Sequence, residues 1–273
     1  MSSEADQLAE LARMTTPGAD FDASPSPSPT SWKYFNATRT ATYGFLAALP
    51  LLILYEVGIL FANTGQMQSV EVGSAIWLKR LLAWFGGTGW LAMGVVVLII
   101  GAVIYWSERE SRPPLKPGFF GLIIGESIIY AVVLAFVVGG VVGLLFGVWV
   151  TPEMMVQSMR ELGLFHQLAL SIGAGLYEEL VFRVILVGGL FLLVNKLVSK
   201  RTTAYIIAAV FGAFLFSLVH YTGPLGDAFT FSSFSFRFLF GLALNAVFLV
   251  RGFAVAAWTH ALYDVLVVTG SFG

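Results

Sequence analysis

The sequence contains no cysteine, which excludes disulfide bonds, thiolate metal ligands and a cysteine nucleophile. Charged residues are also scarce: they make up 11% of the 273 residues, whereas soluble domains contain about a quarter. The formal net charge is -1, so no basic field favours nucleic acid as a partner. With 58% hydrophobic residues and a mean hydropathy of +0.84, the composition is that of a polytopic membrane protein.

Seven stretches are predicted to be transmembrane helices, each of which needs roughly 20 apolar residues. They are 41–62, 86–106, 119–149, 168–194, 203–221, 238–250 and 253–270. The sixth stretch is short unless residues 234–237 extend it. Residues 72–85 combine two basic residues with large apolar side chains and are predicted to form an interfacial helix. The predicted fold is therefore an all-α, polytopic membrane bundle of about seven transmembrane helices.

The chain divides into three predicted regions. Residues 1–40 are rich in serine and proline and mildly acidic, which is typical of a disordered tail. No basic segment leads into a short apolar core with a cleavage site, so the first span is not expected to be a signal peptide. Residues 41–160 carry no recognisable motif and are interpreted as accessory helices. Residues 161–273 contain the candidate catalytic motifs.

Basic residues predict the orientation of the chain. If the tail lies inside, ten lysines and arginines fall in the inner segments and four in the outer segments. This bias predicts a cytoplasmic N-terminus and an outer C-terminus.

Three charged residues lie inside the fourth predicted span: Glu178, Glu179 and Arg183. Ionised groups in hydrocarbon cost several kcal/mol, so they usually face the bundle interior and indicate function. Glu179 and Arg183 have the i, i+4 spacing of an ion pair, with the acid on the favourable N-terminal side. Glu178 points about 100° away around the helix and has no such partner, which leaves it free to act as a general base. The alternative is one ion cluster that only pins helix packing.

Two histidines lie on later spans, each with an aromatic or acidic residue four positions away. Phe216 and His220 are four residues apart on one helix face, and His260 and Asp264 share another. Two membrane histidines, a glutamate pair and an aspartate together indicate a composed site. The third histidine, His166, is expected at the interface. Three further polar residues, Glu56, Glu126 and Asn245, are interpreted as structural. The two acids are expected to be protonated, hydrogen-bonded between helices or in a water-filled vestibule. The Asn245 amide is expected to form a hydrogen bond between helices.

The ordered motifs resemble a known family. Glu178-Glu179-x-x-x-Arg183, Phe216-x-x-x-His220 and His260-x-x-x-Asp264 on successive spans are similar to the CAAX protease and bacteriocin-processing family, also called the Abi family. The family includes the prenyl-protein endopeptidases of eukaryotes and many bacterial intramembrane glutamic proteases. The run of residues 240–260 is also similar to the segment that leads into the family's last motif. The resemblance covers about a hundred residues, roughly 164–264.

This resemblance implies an intramembrane endopeptidase that hydrolyses a membrane-associated protein or peptide in the lipid bilayer, with no cofactor. Glu178 would be the general base, His220 would hold and polarise the water, and His260 with residue 264 would stabilise the oxyanion. Glu179, Arg183 and Phe216 would support the site. The family often has Asn where this chain has Asp264. Three roles for this aspartate follow: it is protonated, it orients His260, or it indicates a metal site. The expected location is a bacterial cell membrane.

Two alternatives follow from the same residues. One is a zinc-dependent variant of this protease, with His220, His260 and Glu178 as ligands, although no His-Glu-x-x-His string is present. The other is a non-proteolytic membrane protein, either a transporter with a proton path through Glu56, Glu126 and the Glu178 cluster or an immunity scaffold. Transporters often contain two similar halves, and no such symmetry is visible in this sequence.

Overall fold

A computed structural model describes residues 33–64, 69–84, 89–147, 161–223 and 226–271 of the chain. Within these residues the regular structure is helical, and no strand is present, which confirms the predicted all-α fold. The ten α-helices of this part of the chain are α1 Tyr34–Thr38, α2 Ala41–Ala62, α3 Gly73–Ala83, α4 Gly89–Ser107, α5 Pro117–Phe146, α6 Leu164–Gly173, α7 Gly188–Val194, α8 Arg201–Val219, α9 Phe231–Arg251 and α10 Phe253–Val268.

Between α6 and α7 the helix continues with a wider turn. Ala174–Glu178 and Leu180–Val187 are π-helical, and together with Glu179 they form the segment that we call the π stretch. π-Helical turns are rare and often occur at functional sites. The predicted fourth span is therefore one continuous helix, but its central part is not an α-helix.

Each of the seven predicted stretches overlaps an α-helix of this list, the fourth together with the π stretch, and residues 86–88 and 148–149 lie outside the described residues. Four helices, α2, α5, α8 and α9, are long and apolar enough to cross a membrane by length and composition. The short sixth span is in fact 21 residues long, because α9 begins at Phe231. The interfacial helix expected at residues 72–85 corresponds to α3, whose Trp77 and Leu81 side chains are exposed. The orientation of the bundle in the membrane stays a prediction.

Part of the region predicted as a tail is helical. Residues 1–32 lie outside the described residues, but residues 34–38 form helix α1 instead of a disordered segment. The cause is Arg251 at the end of α9, which donates from Nη1 to the Phe35 carbonyl at 3.3 Å and from Nη2 to Thr38 Oγ1 at 3.0 Å. These contacts are distant in sequence, so the local composition could not indicate them.

Both isolated acids have partners on other helices. Arg251 donates to both oxygens of Glu126, at 2.5 and 2.8 Å, and the Tyr34 hydroxyl donates to Oε2 of the same acid at 2.6 Å. Burial and this bond raise the pKa of Tyr34, so its hydroxyl remains a donor. Glu56 accepts from Lys79 Nζ at 3.0 Å and from the Tyr177 hydroxyl at 2.5 Å. Of the three alternatives for these acids, hydrogen bonding between helices is the one observed, and each acid also has a cationic partner that the sequence did not indicate.

Helix α10 lies in the middle of the bundle and packs against α2, α5, α6, α9 and the π stretch. Its approach to the π stretch is very close at Gly175, where an added Cβ would lie 2.4 Å from the Ala261 amide nitrogen and 2.6 Å from the Ala257 carbonyl oxygen. Glycine is therefore required there by space. Because Ala261 follows His260 directly, this contact sets the distance between the first and the third motif.

Candidate active site

The three motifs come from three separate helices that meet inside the bundle. The π stretch carries Glu178, Glu179 and Arg183, the end of α8 carries Phe216 and His220, and α10 carries His260 and Asp264. The predicted meeting of these residues is observed. Their individual roles are considered below.

The innermost part of the site is a charged pair with a histidine. Arg183 Nε lies 3.0 Å from Glu179 Oε2, and both side chains are buried. The predicted i, i+4 pair therefore exists. His260 Nδ1 donates to the other oxygen of the same acid, Oε1, at 2.7 Å. The carboxylate of Glu179 thus links the π stretch to α10.

Phe216 is packed between the charged groups. The Arg183 guanidinium lies over its ring, with Cζ 4.4 Å from the ring centroid. The His220 and His260 rings meet the same phenyl ring edge-on, at centroid distances of 4.9 and 5.8 Å. Contacts of this kind stabilise aromatic pairs and cations over rings. Phe216 therefore spaces the two histidines apart.

His220 follows the last turn of α8, and its ring orientation is set by its own helix. Nδ1 lies 2.7 Å from the Phe216 carbonyl oxygen, which can only accept, so Nδ1 carries a proton and donates. Nε2 then points towards Glu178, whose Oε2 is 3.8 Å away. This distance is too long for a direct hydrogen bond. Within the described residues that oxygen of Glu178 has no hydrogen-bond partner.

Asp264 lies one turn after His260 on α10. Its Oδ2 is 3.6 Å from His260 Nε2, which is ion-pair range but beyond a direct hydrogen bond. His260 therefore has a carboxyl group on each side of its ring, with Glu179 at Nδ1 and Asp264 at Nε2.

Exposure divides the site into two layers. The side chains of His220, Glu178 and Asp264 are 25%, 17% and 15% exposed, while those of Glu179 and Arg183 are at most 1% exposed. The ion pair therefore lies beneath three partly exposed side chains, although the Oε2 atom of Glu178 is itself buried. His260 is 4% exposed and lies with the buried pair, and the division into working and supporting residues stays a prediction.

The zinc alternative needs Glu178, His220 and His260 to converge on one point. Instead, His260 Nδ1 is bonded to Glu179, and its Nε2 faces Asp264. Among the described residues, no group of three or more histidine or acidic side chains is placed to hold a metal ion. The residues present therefore do not fit a zinc site.

Other polar residues make hydrogen bonds that link helices. His166 is buried, and its Nε2 lies 3.0 Å from Oδ1 of Asn63, the residue that follows α2. Asn245 donates to the Ala209 carbonyl at 2.9 Å, which confirms it as a link between α9 and α8. Sequence reasoning missed Tyr177, which is buried beside Glu178 and bonded to Glu56. Its position next to the motif was the only signal available.

One comparison with known proteins gave a match. Residues 160–266 match the family described as type II CAAX prenyl endopeptidase, Rce1-like. The match contains all the residues of the three motifs and none of α1–α5. It confirms the resemblance inferred from the motifs. Comparisons with the curated proteins and with the solved structures gave no match to this chain.

Proposed function

Because the segment 160–266 belongs to the CAAX protease family, we propose that this chain is an intramembrane glutamic endopeptidase. In this proposal Glu178 and His220 activate the water that attacks a peptide bond of a membrane-associated protein. One observation carries it: Glu178 Oε2 and His220 Nε2 face each other at 3.8 Å, and both side chains are partly exposed. The supporting ion pair lies buried behind them.

The proton arrangement suits a water molecule between the two groups. With Nδ1 of His220 donating to a carbonyl, Nε2 of the neutral ring is an acceptor, and an ionised Glu178 has only acceptors. Two acceptors 3.8 Å apart can both bond to one water that donates its two protons. Glu178 then takes one proton as the water oxygen bonds to the peptide carbonyl carbon.

The resulting tetrahedral oxyanion needs a donor. A protonated His260 ring can donate from Nε2 while its orientation is held by the hydrogen bond from Nδ1 to Glu179. We assign Asp264 to stabilising the charge of the protonated ring and not to direct donation, because its Oδ2 lies 3.6 Å from Nε2, in ion-pair range. Collapse of the intermediate breaks the carbon–nitrogen bond, and Glu178 returns its proton to the leaving amine. Atoms and charges balance without any cofactor.

Metal dependence provides a direct test. Since the site geometry does not fit zinc, cleavage by the purified protein is expected to be unchanged after treatment with EDTA or 1,10-phenanthroline and gel filtration. Metal content should be measured on the same sample, because a tightly held ion would survive mild chelation. Loss of cleavage that returns on adding Zn²⁺ would contradict the metal-independent mechanism.

A proton-coupled transporter would need acids that can take up and release protons along a path. Glu56 and Glu126 each have a cationic and a tyrosine partner on other elements. Buried pairs of this kind are expensive to open. Both acids are therefore better suited to joining helices than to carrying protons.

The function can be tested in the native membrane. Protein termini should be compared by mass spectrometry between cells with the native chain and cells with Glu178→Ala. We expect at least one membrane-associated precursor to accumulate uncleaved in the variant, and its new terminus in native cells marks the cleavage site. Identical sets of termini in both strains would overturn the proposal.

A further inference from the structure

Tyr177 precedes the proposed general base directly and is anchored outside the matched region of the chain. Its side chain is 1% exposed, and its hydroxyl donates to Glu56 Oε1 on α2 at 2.5 Å. Its ring meets that of Tyr55 edge-on, at a centroid distance of 5.2 Å. The accessory helices thus hold the residue next to Glu178.

The acceptor is itself held in place. Glu56 Oε2 lies 3.0 Å from Lys79 Nζ on α3, and the same ammonium group lies 2.7 Å from Glu71. The Tyr55 hydroxyl accepts from the amide of Val72, the residue that precedes α3. Glu56 therefore has a defined position relative to both α2 and α3, and its charge is paired.

Contacts on both sides confine the π stretch. On one side, at Gly173, the residue of α6 that directly precedes the stretch, an added Cβ would lie 2.3 Å from ring carbons of Tyr55. On the other side, Gly175 touches the backbone of α10. These contacts limit translation of the stretch, while the Tyr177 hydroxyl lies far from the helix axis and resists rotation about it. A small rotation would move the carboxyl group of Glu178 relative to His220.

We infer that Tyr177 and Glu56 are positioning residues that hold Glu178 at its working distance from His220 through the Tyr177–Glu56 hydrogen bond. This inference rests on the proposed function and extends it to the accessory region. It gives α2 and α3 a defined part in the reaction. Misplacement of a reacting group by about 1 Å can cost about a hundredfold in rate.

The test uses the full chain in proteoliposomes. The substrate is a fluorescence-quenched peptide that spans the cleavage site, which the mass-spectrometry comparison of protein termini identifies. Tyr177→Phe is expected to lower kcat about ten- to a hundredfold with an unchanged KM, because only alignment is lost. Glu56→Leu should cause the same loss, and the double variant should be no slower than either single one. Glu56→Gln should retain most activity, because its amide oxygen still accepts from Tyr177.

Tyr205→Phe is the matched control. It removes another interhelical tyrosine hydrogen bond, the one to the Asn245 carbonyl at 2.8 Å, without touching Glu178. It should reduce the melting temperature about as much as Tyr177→Phe and leave kcat unchanged. A native kcat for Tyr177→Phe, or additive losses in the double variant, would overturn the inference. Glu178→Gln in the same assay separates the two hypotheses. If it is inactive, a native kcat for Tyr177→Phe overturns only the inference on Tyr177 and leaves the proposed function intact. If Glu178→Gln is fully active, the proposed function itself fails.

Discussion

Replacing Glu178 by glutamine is expected to lower kcat by roughly 10²- to 10⁴-fold, the range that general acid–base catalysis contributes. The amide has nearly the same shape as the carboxyl group but cannot take a proton from water. Since Oε2 of Glu178 has no hydrogen-bond partner among the described residues, the substitution should not disturb packing. The melting temperature should therefore stay at the native value while cleavage disappears.

The measurement is steady-state cleavage of the mapped peptide by purified protein, with thermal unfolding followed on the same samples. Glu110→Gln is a suitable control, because that side chain is 84% exposed and lies outside the site. It should retain native kcat and KM. Native cleavage by Glu178→Gln would exclude this residue as the base and leave the motif with a packing role only.

Replacing Arg183 by methionine should have the largest effect on stability. The substitution leaves Glu179 in a fully buried position without its cation, and breaking a buried pair in this way typically costs about 3–5 kcal/mol. Among the described residues, His260 is the remaining hydrogen-bond partner of the acid. We expect a much lower melting temperature in detergent and a reduced yield of folded protein, measured by thermal unfolding and size-exclusion chromatography.

A second variant separates stability from catalysis. In Glu179→Gln/Arg183→Met both charges are absent, so much of the stability should return. Activity should not return, because His260 Nδ1 has lost its carboxylate partner. The control is Arg109→Met, which breaks an exposed ion pair with Glu110 and should cost less than about 1 kcal/mol. Native stability of Arg183→Met would show that this pair does not support the fold.

Much of the site could be predicted because its motifs have helical spacing. Glu179 and Arg183 are one turn apart, and so are Phe216 and His220 and also His260 and Asp264, so each pair follows from local geometry. Charges within apolar runs then mark the functional positions. The contacts between motifs could not be predicted in this way. Glu179 and His260 are 81 positions apart, and no pattern in the sequence indicates their hydrogen bond.

The partners of the isolated acids were equally hidden. Glu56 binds Tyr177 across 121 positions, and Glu126 binds Arg251 across 125. Neither acid has a basic residue at helical spacing, because both are paired with residues from other parts of the bundle. For the same reason the tail was predicted to reach residue 40, although Arg251 holds residues 34–38 as a helix.

The sequence by itself determined the class of the protein and the places of its helices, and it nominated the residues of the candidate site. These features depend on hydropathy and on spacing within single helices, which are local properties. The tertiary structure decided which carboxyl group lies next to which histidine: Glu178 faces His220, while Glu179 is hydrogen-bonded to His260. It also decided that the π stretch is held through Tyr177 by the accessory helices, because packing between distant segments selects one arrangement among many with the same local pattern.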